Sequence, residues 1–257
     1  MSSHLKILIV TSGTVADPRF GGELRSRHLA GSLADSGHDV RLIGFVARNY
    51  PALHKEVRPG FQVEQRHSLL LDIPLLLNRL HLTPMTELPS WFGHLRNLFR
   101  QICTLNRYDI IQFDFPWFVN IYPVVRNHAR IVYNAHNIES QYWEGQLTNR
   151  LLGRFWRKRL FVNERGAIES ADAICTCSKE DADWMAAKCD VKPDRVHVVP
   201  NGFDERRFRP TNPQRRKTTR EALGIKKNEK AVIFTGAGTP PNIEAARAIM
   251  ETIAPST

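Results

Sequence analysis

The apolar and polar positions fall into short β-rich runs separated by longer amphipathic stretches, the arrangement expected of parallel strands joined by crossover helices. Residues 5–11 (LKILIVT) form a continuous apolar run, as a strand covered on both faces requires. After a loop bearing Gly, Asp and Pro, Leu24, Leu29, Ala30, Leu33 and Ala34 mark a helical stripe. Gly37 is the stop of that helix, and 40–45 is a second strand. Residues 61–67 read as a third strand, with helical material over 69–80 and 90–105. Clearer strands at 108–114 and 130–136 each end in a polar residue, Asp114 and His136. A long helix over 148–170, a strand at 172–178, a helix at 179–188 and a strand at 195–200, closed by Asn201-Gly202, complete the pattern. In such open sheets ligands gather outside the carboxyl ends of the strands, where Asp114 and His136 stand.

Beyond this point the pattern changes. Residues 204–230 are polar, basic and punctuated by proline, the composition of a linker with one short helix. Residues 231–257 then read as a buried strand, a turn at Gly236 and the beginning of a helix. The expected division is a Rossmann-like α/β domain over 1–208, with helices on both faces of a parallel sheet, and over 209–257 a linker with the first strand and helix of an incomplete second domain.

With 42% hydrophobic and 24% charged residues among 257, the composition is that of a globular protein with a sizeable core. No stretch approaches the roughly 18 consecutive apolar residues of a membrane span. The best candidate, 68–80, is broken by Asp72 and Pro74. The short apolar run near the N-terminus reads as the first strand rather than a signal peptide. Cys103, Cys175, Cys177 and Cys189 have neither disulfide-framework nor zinc-site spacing, so reduced cytosolic thiols and no metal are expected. A formal charge of +10 favours anionic partners without choosing among them. The basic clusters at 154–159 and 212–220 sit in no nucleic-acid motif.

The loop at 11–25 joins a buried strand to a helix that starts near Gly21-Gly22. Paired glycines allow close backbone approach, and free amides at a helix N-terminus favour an anion such as a diphosphate; a purely conformational role is the alternative. The loop lacks the G-x-G-x-x-G fingerprint, and no acidic residue ends the second strand to take a ribose, which disfavours a nicotinamide enzyme.

The order of motifs resembles one family, the retaining glycosyltransferases of family four, built on the GT-B fold of two facing Rossmann-like domains. The resemblance rests on GGELRSRHLAGSLADSGHDVRLIG, YNAHNIESQYW, SADAICTCSKEDADWM, VVPNGFDERRFRP and AVIFTGAGTPPNIEAARAIMETIAP, in family order along most of the chain. It implies that Gly21 and Gly22 face the donor diphosphate and the acceptor, and that His136 lies close to the transferred sugar, unless it caps a loop. Asp114 would contact acceptor hydroxyls or act as a helix N-cap, and Asn201 and Gly202 would form the turn into the interdomain linker. Ser178 matches a family serine and reads equally as an N-cap. Gly236 matches the first loop of the donor-side domain, but the arginine and lysine that many relatives carry there are missing from 236–242.

The resemblance further implies transfer of a sugar from a nucleoside diphosphate to an acceptor hydroxyl with retained configuration, in glycan or cell-surface polysaccharide assembly. It implies no metal, no other cofactor and no protein nucleophile, with the leaving diphosphate stabilised by helix N-termini and cationic side chains. The expected partners are a nucleotide sugar and a glycan or lipid-linked acceptor, not nucleic acid, and the expected location is cytoplasmic. Peripheral contact with the inner membrane face through 69–80 and 154–161 would suit a lipid-linked acceptor; core packing of the same residues is the alternative. Because 231–257 cannot hold the glutamate pair that binds ribose and sugar in the family, the chain is expected to be an inactive fragment. Two rival readings remain: a binding subunit of a split glycosyltransferase, and a GT-B nucleotide-sugar epimerase.

Overall fold

The computed structural model describes residues 4–67, 93–143, 150–189, 191–205, 208–236 and 240–254. The expectation of helical material over 69–80 lies outside them. The chain divides into two compact units, 1–201 and 202–257.

The first unit is built on β1 (Lys6–Ser12), β2 (Asp39–Val46), β3 (Leu53–Arg58), β4 (Phe61–His67), β5 (Ile110–Phe113), β6 (Arg130–Asn134), β7 (Ala173–Thr176) and β8 (Val196–Val198). They form one sheet in the order β3-β4-β2-β1-β5-β6-β7-β8. Every neighbouring pair is parallel except the β3–β4 edge hairpin. The helices of this unit are α1 (Gly21–Asp35), α2 (Gly93–Leu105), α3 (Tyr122–Val125), α4 (Glu139–Tyr142), α5 (Arg150–Ser170) and α6 (Lys179–Cys189), with a 3-10 turn at Pro116–Ile121.

The apolar run of β1 reads continuously because both of its faces are covered. Ile7 and Ile9 join Val15, Ala30, Val40, Leu42, Phe61 and Val63 in one cluster, into which α1 sends Ala30. Leu8 and Val10 point the other way, into a larger cluster that includes Phe99 of α2, Phe118, Ile168 of α5 and Met185 of α6. This alternation of side-chain direction along the strand sets the two layers of core on either side of the sheet. α1 stops as expected: Gly37 has φ +90°, and its amide and that of His38 close on the carbonyls of Ala34 and Leu33.

The chain leaves β1 towards β2 on one side and reaches β5 on the other, so the strand order reverses at β1. Such a reversal opens a crevice at the carboxyl ends of the strands. The loop after β1 is pressed onto β2 there. Gly13, at φ +114°, donates its amide to the Phe45 carbonyl at 2.9 Å. A Cβ on Gly44 would lie 2.6 Å from the Gly13 carbonyl oxygen and 2.8 Å from both Val15 methyl carbons.

Two elements differ from the sequence reading. β3 was not anticipated, because LHKEVR is exposed at nearly every position and shows no apolar alternation; its antiparallel partner β4 creates it. The expected strand at the start of 231–257 is absent: residues 231–236 form no strand, and Val232 and Ile233 are 91% and 82% exposed. A strand is stable only where neighbouring strands and a covering layer receive its backbone and side chains. The described part of the second unit instead carries α7 (Pro213–Ala222), capped by Asn212 through the Arg215 amide at 2.7 Å, and α8 (Pro240–Ala248).

Gly44→Ala is expected to lower stability by about 1–3 kcal/mol through overpacking against the loop backbone. A thermal melt reads this as a lower midpoint; an unchanged midpoint would mean that the loop does not bear on β2.

Candidate functional site

A cavity of about 610 Å³ opens at the carboxyl ends of the strands, with every lining residue in the first unit. The β1–α1 loop, the first turns of α1, the ends of β2, β5 and β6, the α4 turn and Asn201 supply its wall, which is largely apolar.

The wall formed by the β1–α1 loop is shaped by Glu23, which sequence reasoning did not single out. Its carboxylate accepts the Thr14 amide at 2.7 Å, the Thr14 hydroxyl at 2.8 Å, and the amides of Arg19 and Phe20 at 2.8 and 3.2 Å. Phe20 is the N-cap of α1 and Glu23 its third helical residue, so the carboxylate reaches back to the N-cap amide as the acidic half of a capping box does. The available signal was a Glu three residues beyond the cap position.

The paired glycines have different roles. A Cβ on Gly22 would come within 2.9 Å of His136 Nδ1 and 3.7 Å of the Phe115 ring, so the missing side chain makes room for the imidazole. A Cβ on Gly21 would meet nothing within 4 Å, and Gly21 forms open wall.

His136 is 9% exposed and lines the cavity at the end of β6. Its Nε2 is 3.2 Å from the Asn134 amide nitrogen, which also donates to Asp114 Oδ1 at 2.9 Å. An amide N–H aimed at Nε2 requires that nitrogen to accept, which assigns the proton to Nδ1. Nδ1 is buried with no hydrogen-bond partner among the described residues. Burial lowers the His136 pKa below its ordinary value, with Arg25 acting in the same sense and Asp114 against it. The ring is therefore neutral at neutral pH, and its unused N–H lies buried against Gly22.

Asp114 does not reach the cavity wall. It is fully buried and accepts from Gln112 at 2.7 Å, from Asn134 and from the Ser26 hydroxyl of α1. Asn201 does line the cavity, and its side-chain oxygen accepts Arg25 Nη1 at 2.9 Å. Arg25, 7% exposed and absent from the sequence-derived candidates, also donates to the Val199 carbonyl at 2.7 Å and to Asn134 at 3.2 Å. Gly236 belongs to the second unit, where a Cβ would collide with Asn242 at 2.8 Å. Ser178 caps α6 through the Asp181 amide at 3.1 Å.

A second acidic residue, Glu139, stands in the wall at the start of α4. Beneath it, fully buried Glu164 of α5 accepts the Glu139 amide at 2.7 Å and the Ser140 hydroxyl at 2.6 Å. Burial, then repulsion from Glu164, raises the Glu139 pKa to about 7. Among the described residues no group of three or more His, Cys, Asp or Glu side chains could hold a metal ion.

The folded form binds the Glu139 proton more tightly than the unfolded form, whose glutamates titrate near 4.3. Its stabilising contribution is thus complete at low pH and lost as pH rises through about 7. Glu139→Gln, which cannot ionise, should exceed the wild type in stability at pH 8 by on the order of 3–4 kcal/mol, the gap closing near pH 4. Denaturant titrations at the two pH values check the sign.

Among known proteins, the chain is 33% identical over 107 residues to the alpha-maltose-1-phosphate synthase of Mycolicibacterium smegmatis, a stretch covering 41% of this chain and 26% of that relative. The catalytic domain of starch synthase IV from Arabidopsis thaliana, solved with ADP and acarbose, superposes with a TM-score of 0.61 at 14% identity, covering 98% of this chain and 67% of that one. Anabaena HepE, solved in complex with UDP and glucose, superposes with a TM-score of 0.52 at 18% identity, covering 86% of this chain and 50% of that one. These likenesses establish the α/β fold of GT-B glycosyltransferases. Residues 21–207, which hold the cavity wall from Gly21 to Asn201, match the profile described as Glycosyltransferase Family 4, and the chain belongs to that family.

Proposed function

We propose that the cavity is the acceptor-side half of a retaining sugar-transfer site, at which an acceptor hydroxyl replaces the diphosphate of a nucleotide sugar. The observation that carries this reading is the unpartnered Nδ1–H of neutral His136, held against Gly22 on the cavity wall inside the family-matched region. A pre-positioned neutral donor in a site shielded from water stabilises a sugar hydroxyl or a developing charge without reorganisation. The relatives solved with UDP and glucose, and with ADP and acarbose, support a nucleotide-sugar donor and a sugar acceptor.

In this reading residues 1–208 are the acceptor-side domain, and Gly236 with α8 begins the donor side. The acceptor is a glycan or a lipid-linked glycan, and the reaction proceeds without a metal, in the cytoplasm. No helix of the described residues is long and apolar enough to cross a membrane. Of the stretch 154–161, Trp156 and Leu160 are buried while Phe155 is exposed, so core packing takes part of it.

The test is sugar release from a panel of nucleotide sugars by the complete protein, with product configuration read by NMR. His136→Ala should lower turnover by about 10²-fold, as removal of one preorganised donor does elsewhere, with the assay run well below a melting midpoint that falls because a buried ring is lost and the Asn134 amide loses an acceptor. Activity unaffected by the substitution would remove His136 from the site. In this reading residues 1–257 alone give negligible turnover, because 231–257 hold no glutamate pair for ribose and sugar; appreciable turnover would refute that.

A further inference from the structure

Four carboxylates lie in or beneath the cavity among the described residues, and they differ in what their oxygens already hold; Glu164 is filled by the Glu139 and Ser140 amides and the Ser140 hydroxyl. Glu23 is filled by four donors of its own loop. Asp114 is enclosed and filled by Gln112, Asn134 and Ser26. Among the described residues Glu139 accepts only the Asn137 amide at 3.4 Å and the Trp143 indole N–H at 3.2 Å, one neutral donor on each oxygen. A carboxylate offers about four lone-pair sites, so Glu139 keeps acceptor capacity in a residue that lines the cavity.

Its placement costs stability. Among the described residues no basic side chain lies within ion-pair distance of Glu139 or Glu164. Tyr133, whose own pKa is driven up by burial and by these two glutamates, adds no positive charge, and Asp181 adds further negative field at Glu164. An uncompensated pair of buried carboxyls is retained against that cost where it has a task. Glu164 holds the backbone under Glu139 and so fixes its direction. Flat apolar rings flank the opening: Phe115 stacks on Trp117 at 4.2 Å and 9°, and Tyr142 meets Trp143 edge-on at 5.7 Å. Such a wall suits the faces of sugar rings, and one convergent polar group gives them orientation.

We propose that Glu139 is the acceptor-recognising residue of this cavity, receiving a hydroxyl of a neutral polyhydroxylated acceptor and disfavouring one that carries a phosphate or carboxylate beside that hydroxyl. The assignment rests on the sugar-transfer reading above and narrows its acceptor class. Arg25, the basic side chain among the described residues of the wall, directs its Nη1 and Nη2 donors to Asn201, Asn134 and Val199 and keeps its unpartnered Nε buried, so an acceptor phosphate would meet Glu23 and Glu139 with both terminal nitrogens of the guanidinium already engaged.

The experiment uses the 257-residue chain and saturation-transfer NMR with three neutral probes, the methyl glycosides of glucose, mannose and galactose, and with glucose 1-phosphate. The wild type should transfer magnetisation to at least one neutral glycoside and more weakly to the phosphate. At pH 8, where the Glu139 carboxyl is ionised, Glu139→Gln should weaken that binding roughly tenfold, the difference between a charge-assisted and a neutral hydrogen bond, and Glu139→Leu should abolish it. Matching amide spectra establish that the variants fold. Glycoside binding unchanged in both variants, stronger binding of glucose 1-phosphate, or no binding of any glycoside to the wild type overturns the proposal. Donor cleavage by water in the complete protein separates the two readings. If cleavage persists while glycoside binding ignores Glu139, only the acceptor assignment falls; if the wild type cleaves no nucleotide sugar, the transferase reading falls.

Discussion

One fully buried carboxylate, Asp114, holds the ends of several elements in a common frame. It takes hydrogen bonds from Ser26 of α1, Gln112 of β5 and Asn134 at the end of β6. Asn134 passes the connection on: its amide nitrogen serves Asp114 and faces His136, while its oxygen accepts from Arg25. Arg25 in turn grips Val199 and Asn201 beyond β8. A single carboxamide thus stands between a buried guanidinium and a buried carboxylate, which share a low-dielectric space without a direct ion pair. A network of this kind fixes geometry only while every member is satisfied, and losing one member leaves a buried charge or polar group exposed to its full desolvation cost.

That network explains how much of the site was legible in the sequence. His136 and Asp114 were found because each closes a recognisable strand, and position in an open sheet carries chemical meaning. Gly22 was found as part of a glycine pair, yet its reason, room for the His136 ring, depends on a residue far along the chain. Arg25 bonds Asn201 across 176 residues and Asn134 across 109, so no local pattern announces it. Glu139 and Glu164 lie 25 apart on different helices, and their mutual burial exists only once α5 packs beneath α4. Asp114 was expected to touch a ligand or cap a helix, but placement one layer deeper gives it the role of positioning the groups that do line the cavity.

The fold shows the same division between local and distant causes. β1 was legible because burial on both faces writes an unbroken apolar run, and the stop of α1 because Gly37 occupies a left-handed conformation. β3 carries no such pattern and exists through pairing alone. Residues 231–236 have the pattern without the pairing, and they form no strand.

Net charge was the least transferable of the sequence observations. The formal charge of +10 favours anionic partners, yet among the described residues the cavity wall holds one basic side chain, Arg25, against Glu23 and Glu139. With Glu139 near its titration point the wall alternates between neutrality and one net negative charge around neutral pH. Among the described residues the basic excess therefore lies outside this wall; in the proposed reading the cavity receives the uncharged groups of an acceptor, with His136 as neutral donor, Glu139 as acceptor and the aromatic rings as a flat apolar surface. Long-range charge and local recognition act on different parts of the molecule, so the first cannot be used to infer the second.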